Sequence, residues 1–185
     1  MYKAVNQGTI KRLLTEMGMR LRFPCRLYLV GGTTLVYEGL RAQSKDVDFG
    51  FEIENKHDTA FATCIQALKR ELDISIELVT PKDFIPLPSG WRDRCRYIAR
   101  FGQMEVFHYD PVSTALSKIE RGRLQDMDDI RVLLREGWMT MDDLKDGYEN
   151  ILPRFMSESL KRDPDRFKSR FNAFLEYVRS FDSEE

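Results

Sequence analysis

The sequence is poor in the residues that mark several common kinds of site. Its 185 residues include two histidines, His57 and His108, so a histidine-rich metal site is excluded. The three cysteines are far apart and form no Cys-x-x-Cys pattern, so neither a disulfide framework nor a zinc site is expected. This cysteine usage predicts a protein of the reducing cytoplasm.

Long apolar runs and an excess of charge of one sign are also missing. No apolar run approaches the ~18 residues of a membrane helix and no signal peptide opens the chain, so we expect a protein that neither spans a membrane nor is secreted by the usual route. With 29 basic and 30 acidic residues the net charge is −1, so no global positive field indicates nucleic acid. A composition that is 42% hydrophobic and 32% charged is typical of a globular protein.

One segment, Leu27–Phe51, combines features that point to a ligand. Four apolar residues open it and predict a buried strand, and after Gly31 and Gly32 a short helix is predicted at Thr33–Leu40. The two glycines allow the backbone to approach a ligand closely, and the amide groups that follow them favour a phosphate. Thr33 adds a hydroxyl at the same place.

The same segment ends in a strand that carries two acids, Asp46 and Asp48. Because alternate residues of a strand point to opposite faces, these two carboxylates share one face. Paired carboxylates offer only oxygen ligands, which suit a hard divalent cation that also holds substrate phosphates. The segment therefore predicts a site for a metal ion and a nucleotide.

The order of these features resembles the signature of the nucleotidyltransferase superfamily that includes DNA polymerase beta. In that signature a hydrophobic strand, Gly-Gly or Gly-Ser, a short helix and Asp-x-Asp follow one another, and here thirteen residues separate Gly32 from Asp46. The resemblance implies a small mixed-sheet α/β core, a nucleoside triphosphate such as ATP as substrate, and Mg²⁺ as cofactor. The same residues also fit a plain strand-to-helix turn followed by a solvated edge strand.

A third carboxylate is predicted on a later strand, Ile74–Val79. Its apolar residues alternate with polar ones, so Glu77 projects from the face opposite Ile74 and Ile76. Polymerase-beta-like enzymes place a third acid on the strand beside Asp-x-Asp, and Glu77 is the residue that resembles it. The alternative is a lone exposed strand glutamate.

Other elements of the α/β part are predicted from their periodicity: helices at 7–20 and 58–72, and hairpin strands at 95–101 and 104–109. Strand alternation predicts that Arg94, Arg96 and Arg100 share one face. They would form a basic strip for phosphates or an RNA backbone, or else an ordinary solvated face.

A helical part follows Pro111, because proline cannot continue a strand ladder and the later sequence has helical periodicity. We therefore predict an α/β nucleotidyltransferase lobe at 1–111 and a helical lobe at 112–185. The predicted helices run from Ser113 or Thr114 to Arg121, from 124 to 135, from a capping box at Thr140 and Asp143 to Leu152, and from 164 to 181, with Pro153 separating a short helix from the last one. The last helix carries apolar residues that predict packing on its own lobe or a dimer contact: Phe167, Phe171, Phe174, Val178 and Phe181.

One segment of the helical part, 117–130, has a second resemblance. A lysine followed eight residues later by an aspartate across a helix break, Lys118 and Asp126, resembles the helical motif of the AbiEii-type toxins and other minimal nucleotidyltransferases. The resemblance implies that Lys118 neutralises phosphate charge and that Asp126, or alternatively Asp129, completes the active site. Without the first motif such a pair would be read as solvated helix residues.

Together these features predict a magnesium-dependent nucleotidyltransferase with the nucleotide between the two lobes. Asp46, Asp48 and Glu77 would hold the metal, while the glycines and Thr33 would hold the triphosphate. The resemblance implies an RNA acceptor, such as tRNA, or a protein hydroxyl, and a role in a toxin–antitoxin pair with an antitoxin partner or a second copy. The alternative is a non-catalytic, antitoxin-like binding protein that keeps the fold.

Overall fold

The computed structural model describes residues 2–157 and 163–182. Its helices are α1 (Gln7–Arg20), α2 (Gly32–Tyr37), α3 (Asp58–Glu71), α4 (Pro111–Arg121), α5 (Leu124–Arg135), α6 (Met141–Ser157) and α7 (Pro164–Asp182). Its strands are β1 (Cys25–Leu29), β2 (Asp46–Glu52), β3 (Ser75–Leu78), β4 (Arg96–Phe101) and β5 (Met104–His108). This mixed α/β fold with a helical C-terminal part confirms the predicted fold class.

The chain divides into two units, which are not continuous in sequence. The α/β unit comprises the residues up to Thr80 together with Cys95–Tyr109, and the helical unit comprises Pro81–Arg94 together with the residues from Asp110 onward. Segment 81–94, which the sequence assigned to the α/β lobe, thus belongs to the helical unit. The lobe boundary at residue 111 stays a prediction.

The α/β unit is built on a five-stranded sheet with the order β3-β2-β1-β5-β4. Strand β1 is antiparallel to β2 and parallel to β5, while β2 is parallel to β3 and β4 is antiparallel to β5. The two strands that carry the predicted acids, β2 and β3, are therefore neighbours at one side of the sheet.

One face of this sheet forms the hydrophobic core with α1 and α3. Alternation along the strands supplies its buried apolar residues, and the predicted stripes of the two helices complete the same cluster. Its members include Leu27, Leu29, Val47, Phe49, Ile76, Met104 and Val106 from the strands and Ile10, Leu14, Met17, Phe61, Ile65 and Leu68 from the helices. The opposite face carries Asp46 and Asp48, as well as the stacked rings of Tyr28 and Phe107.

The arginine strip predicted along the hairpin is wrong, because strand β4 contains a bulge between Tyr97 and Ala99. Arg96 lies opposite His108 and Arg100 lies opposite Glu105. Residues 105 and 108 of one strand point to opposite faces, so the two arginines do not share a face. Arg94 precedes the strand, in the helical unit.

Helix α4 begins at Pro111, earlier than predicted, because Asp110 caps it. The fully buried Asp110 carboxylate accepts hydrogen bonds from the backbone N–H groups of Val112 (3.1 Å) and Ser113 (3.2 Å), and the proline takes the first helical position, which needs no N–H. The same carboxylate accepts two hydrogen bonds from the Arg94 guanidinium, at 2.8 and 2.9 Å. This pair ties segment 81–94 to α4 within the helical unit.

Pro153 does not end a helix, as the sequence predicted, but lies inside α6. The residue four positions earlier, Glu149, is exposed, as is the proline itself, so water can take the backbone hydrogen bond that the proline cannot donate. The predicted capping box of this helix is confirmed. Thr140 N–H donates to Asp143 (2.8 Å), and Asp143 N–H donates to the Thr140 hydroxyl (3.0 Å).

Helix α7 packs through its aromatic stripe on its own unit, which was one of the two predicted uses. Phe167, Phe171 and Phe174 are buried. The ring of Phe171 stacks on that of Tyr148 with centroids 3.9 Å apart, and Phe167 stacks on Phe155 at 4.7 Å. The side chain of Phe181 lies outside the described residues.

The close approach of α1 to β4 gives a stability prediction. A Cβ atom on Gly18 would lie 2.5 Å from the Phe101 Cβ and 2.7 Å from its carbonyl oxygen, so Gly18→Ala should lower the free energy of unfolding by about 1–3 kcal/mol through overpacking. Gly8, in the same helix, is the control, because a Cβ there would meet only the Asn6 Oδ1, at 3.4 Å. Gly8→Ala should be neutral or stabilising, since alanine is the better helix former by up to about 1 kcal/mol. Urea unfolding checks both variants, and equal responses would contradict the packing argument.

Candidate active site

The structure brings together the three carboxylates that the sequence singled out. Asp48 on β2 lies directly opposite Glu77 on β3, and Asp46 lies two residues before Asp48 on the same face. One oxygen from each of the three carboxylates lies within 4.8 Å of the other two. Asp46 and Asp48 are half-buried, and Glu77 is exposed.

The chemistry of this cluster suits a hard divalent cation. All three donors are carboxylate oxygens, which magnesium and calcium prefer. Two like charges 4 Å apart repel by about 4 kcal/mol at an effective dielectric constant near 20, and solvent around the half-buried groups reduces that value. A cation among Asp46, Asp48 and Glu77 would turn this repulsion into attraction, so the residues present fit a metal ion.

The glycine turn is bonded to the backbone of Asp48. The Thr33 hydroxyl accepts a hydrogen bond from the Asp48 N–H (2.8 Å), and Val30 N–H donates to the Asp48 carbonyl oxygen (3.1 Å). Gly31 has φ 55° and ψ −123°, a conformation that strains any residue with a Cβ. Gly31, Gly32 and Thr33 thus lie beside the acid pair, with the Thr33 hydroxyl buried and engaged inside the protein.

Arg41 is a candidate phosphate-binding residue that the sequence patterns did not indicate. The chain turns back after α2, where the N–H groups of Leu40 and Arg41 both donate to the Leu35 carbonyl oxygen. The Arg41 guanidinium then reaches Gly32, where a Cβ atom would lie 2.9 Å from its Nη1. The sequence signal for this residue is a positively charged side chain between the glycine pair and Asp46. Only the fold shows that this side chain returns to the glycine turn.

The second predicted pair, Lys118 and Asp126, belongs to a network of buried charges in the helical unit. Lys118 Nζ donates to Asp126 Oδ1 (2.9 Å) and to Asp129 Oδ2 (2.7 Å), and all three side chains are buried. Arg121 donates two further hydrogen bonds to Asp126, at 2.8 and 2.6 Å. Lys118 therefore contacts both acids that the sequence left as alternatives.

The Asp126 carboxyl titrates below its usual range. Burial would raise its pKa, but the hydrogen bonds from Arg121 and Lys118 and their charges outweigh burial and lower the pKa. Because its pKa is lower in the folded state, this carboxylate contributes fully to stability when the pH is above its pKa in the unfolded chain. That contribution is lost as the pH falls through its pKa in the folded protein.

The network predicts a large loss of stability when Lys118 is replaced. Lys118→Met keeps the length of the side chain but leaves two buried carboxylates with one cation fewer, which should cost roughly 3 kcal/mol or more. Arg135→Met is the control, because Arg135 pairs with Glu136 on the surface, where an ion pair contributes little. Urea unfolding at pH 7 measures both variants, and a Lys118→Met protein as stable as the Arg135→Met protein would contradict the prediction.

No described helix is both long and apolar enough to cross a membrane.

Comparison with known proteins identifies the family of the chain. A search of curated proteins found no match. The model of the DUF6036 family, described as a nucleotidyltransferase of unknown function, matches residues 9–179, which is nearly the whole chain. This match confirms the predicted superfamily and the general enzyme class, whose members take a nucleoside triphosphate as substrate. The chain belongs to the DUF6036 family of nucleotidyltransferases.

Proposed function

We propose that this protein is a magnesium-dependent enzyme that transfers a nucleotide from a nucleoside triphosphate to a hydroxyl group of an RNA. The observation that carries the proposal is the convergence of three carboxylate oxygens within 4.8 Å of one another, next to a glycine turn bonded to the same strand. A plain strand-to-helix turn followed by a solvated edge strand does not require three carboxylates this close together.

The three acids would hold the metal ion. Asp46, Asp48 and Glu77 offer one oxygen each, and their register on adjacent parallel strands keeps these oxygens together without any rearrangement of the backbone. A bound magnesium ion would neutralise charge on the triphosphate and on the leaving pyrophosphate. This arrangement supports the assignment of Glu77 as the third ligand.

The glycine turn and Arg41 would hold the triphosphate. Gly31 and Gly32 carry no side chains that would keep phosphate oxygens away from the backbone, and the Arg41 guanidinium beside Gly32 supplies a positive charge. The Thr33 hydroxyl already accepts the Asp48 N–H, so we assign it to fixing the turn relative to the acids. The oxygen of the acceptor hydroxyl would then form a bond to the α-phosphorus and give its proton to water, while the bond from that phosphorus to the bridging oxygen breaks and pyrophosphate leaves.

In the helical unit, Lys118 would supply positive charge to the reaction, and Asp126 would be its partner. In the structure the lysine ammonium is already neutralised by two carboxylates. It would stabilise phosphate charge by exchanging one of these carboxylates for a phosphate oxygen. The exposed side of the network is Arg121, whose side chain is 33% accessible.

The acceptor and the biological role rest on the resemblance to AbiEii-type toxins and minimal nucleotidyltransferases. That resemblance supports an RNA acceptor such as tRNA, with a protein hydroxyl as the alternative, and a place in a toxin–antitoxin pair in the cytoplasm. The intact set of three acids supports an enzyme over a non-catalytic binding protein. A partner antitoxin or a second copy of the chain would regulate it.

Removal of either aspartate charge should abolish transfer. Asp46→Asn and Asp48→Asn keep the size of the side chain but remove a metal-binding charge, which should lower the rate by at least about 10³-fold. Glu52→Gln is the control, since it removes a charge from the same face of the same strand, where the glutamate accepts the Tyr28 hydroxyl (3.1 Å) and can still do so as an amide. The assay incubates each protein with labelled nucleoside triphosphates, magnesium and either total RNA or cell protein.

Two outcomes of this assay would contradict the proposal. Glu52→Gln as inactive as the aspartate variants would show that the loss is not specific to the acid cluster. A wild-type protein that labels neither RNA nor protein, and that both variants match in every readout, would leave the non-catalytic alternative standing. Label in protein alone would replace RNA by a protein hydroxyl as the acceptor.

Nucleotide binding should depend on the metal ion. Calorimetry with a nucleoside triphosphate should show binding in magnesium and much weaker binding in chelator, because the acids repel the triphosphate without a cation. Bound nucleotide should also raise the melting temperature by mass action. Asp46→Asn should reduce the difference in affinity between magnesium and chelator. Equal affinity in magnesium and in chelator would overturn the metal assignment.

A further inference from the structure

The second histidine of the chain, His108 on strand β5, contacts one residue of α2 and the residue that caps it. Its Nε2 lies 2.7 Å from a carboxylate oxygen of Glu38, and its Nδ1 lies 3.2 Å from the Thr34 hydroxyl oxygen. Thr34 is on α2 and Glu38 is its C-terminal cap, four residues later, so the two side chains lie on one face one turn apart. The ring is buried, and none of the chemistry proposed above uses it.

Helix α2 needs such contacts to hold its position. It has only six residues, too few for a helix to be stable by itself, so packing and side-chain bonds must fix it. The Thr34 hydroxyl oxygen also lies 3.1 Å from the Leu29 carbonyl oxygen, a second acceptor within its reach, and the neighbouring Thr33 accepts the Asp48 N–H. A continuous set of contacts therefore runs from Glu38 through His108 and the two threonines to the backbone of a proposed metal ligand.

The protonation state of the ring decides the direction of its bond to Thr34. In neutral His108 the Nε2–H donates to the Glu38 carboxylate, and Nδ1 accepts from the Thr34 hydroxyl. In the imidazolium form both ring nitrogens donate, so the Thr34 hydroxyl must turn to the Leu29 carbonyl oxygen. That oxygen already accepts the Tyr109 N–H (2.9 Å), so it keeps a donor in either state.

Charged and aromatic residues also lie near the ring. Glu38 faces it from the end of α2, Arg96 acts on it from β4, and the Tyr37 ring meets it edge-on with centroids 5.7 Å apart. Burial lowers the pKa of His108 below its ordinary 6.5 and outweighs Glu38, which raises it, while Arg96 lowers it further. The neutral form therefore dominates at pH 7.

We propose that His108 is a positioning residue that, through Thr34 and Glu38, holds α2 and its glycine turn in place beside Asp48. The value of this placement for nucleotide binding rests on the function proposed above. The positioning itself is a property of the α/β unit and can be measured without nucleotide.

The experiment begins with backbone and imidazole NMR titrations of the full chain from pH 5 to pH 8.5. In the wild type the amide signals of Gly32, Thr33 and Asp48 should shift with the same midpoint as the His108 ring. His57→Gln identifies the His108 signal and should leave those shifts unchanged, because His57 stacks on Phe23 elsewhere in the unit. Amide signals that do not follow the ring would overturn the proposal.

Variants of Glu38 avoid the risk of unfolding a buried histidine, since the glutamate side chain is 38% exposed. Glu38→Gln removes the charge but keeps an acceptor for Nε2–H, so the midpoint should move to lower pH while the amide positions at pH 8 stay those of the wild type. Glu38→Ala removes the bond as well and should displace the amides at pH 8. Wild-type amide positions in Glu38→Ala would overturn the proposal.

The last measurement is the affinity of each protein for ATP with magnesium at pH 8. Loss of one hydrogen bond from the support of the turn should weaken binding by about threefold to tenfold in Glu38→Ala, with the rate constant of transfer less affected and with Glu38→Gln close to the wild type. Equal affinity of Glu38→Ala and the wild type would show a purely structural contact and overturn the inference. Absence of ATP binding by the wild type would instead overturn the proposed function, while the NMR titration still decides the positioning.

Discussion

The mutual repulsion of Asp46, Asp48 and Glu77 is the constraint on which the α/β unit depends. Three carboxylates stay within 4.8 Å of one another only if the strands that carry them cannot move apart. Strand β2 is accordingly paired on both sides, with β1 and β3, and the backbone of Asp48 is bonded at its N–H by Thr33 and at its carbonyl oxygen by Val30. The hydrophobic core on the other face of the sheet stabilises this arrangement.

Aspartate residues have different environments in the two units. In the helical unit Asp126 and Asp129 are buried and neutralised by Lys118 and Arg121, which satisfy them within the protein. Asp46 and Asp48 are half-exposed acids whose charge suits an ion from solution. A buried ion pair adds specificity to a fold, whereas a cluster of like charges adds a capacity to bind. The chain thus has one set of aspartates neutralised within the protein and another in a cluster whose chemistry suits a cation.

The features that the sequence predicted correctly are those set by local rules. Strand alternation placed Asp46 and Asp48 on one face, and helical spacing identified the buried faces of α1 and α3. The features that it missed depend on contacts distant in sequence or on a single irregular residue. The bulge beside Tyr97 reverses the face of the later side chains of β4. The buried Asp110 moves the start of a helix, and the return of Arg41 to the glycine turn is seen only in the folded chain.

The connectivity of segment 81–94 limits how the chain can be divided. The polypeptide leaves the α/β unit after Thr80, contributes this segment to the helical unit and returns at Cys95, so no single cut separates the units. Within the helical unit the segment is held by Arg94 on Asp110, and by Arg154 and Asn150, which bond the Leu87 carbonyl oxygen (2.7 Å) and the Ser89 N–H (3.0 Å). A truncated protein that ends near residue 111 would therefore carry a loop deprived of its anchors. A stable fragment would therefore have to keep both sides of these contacts.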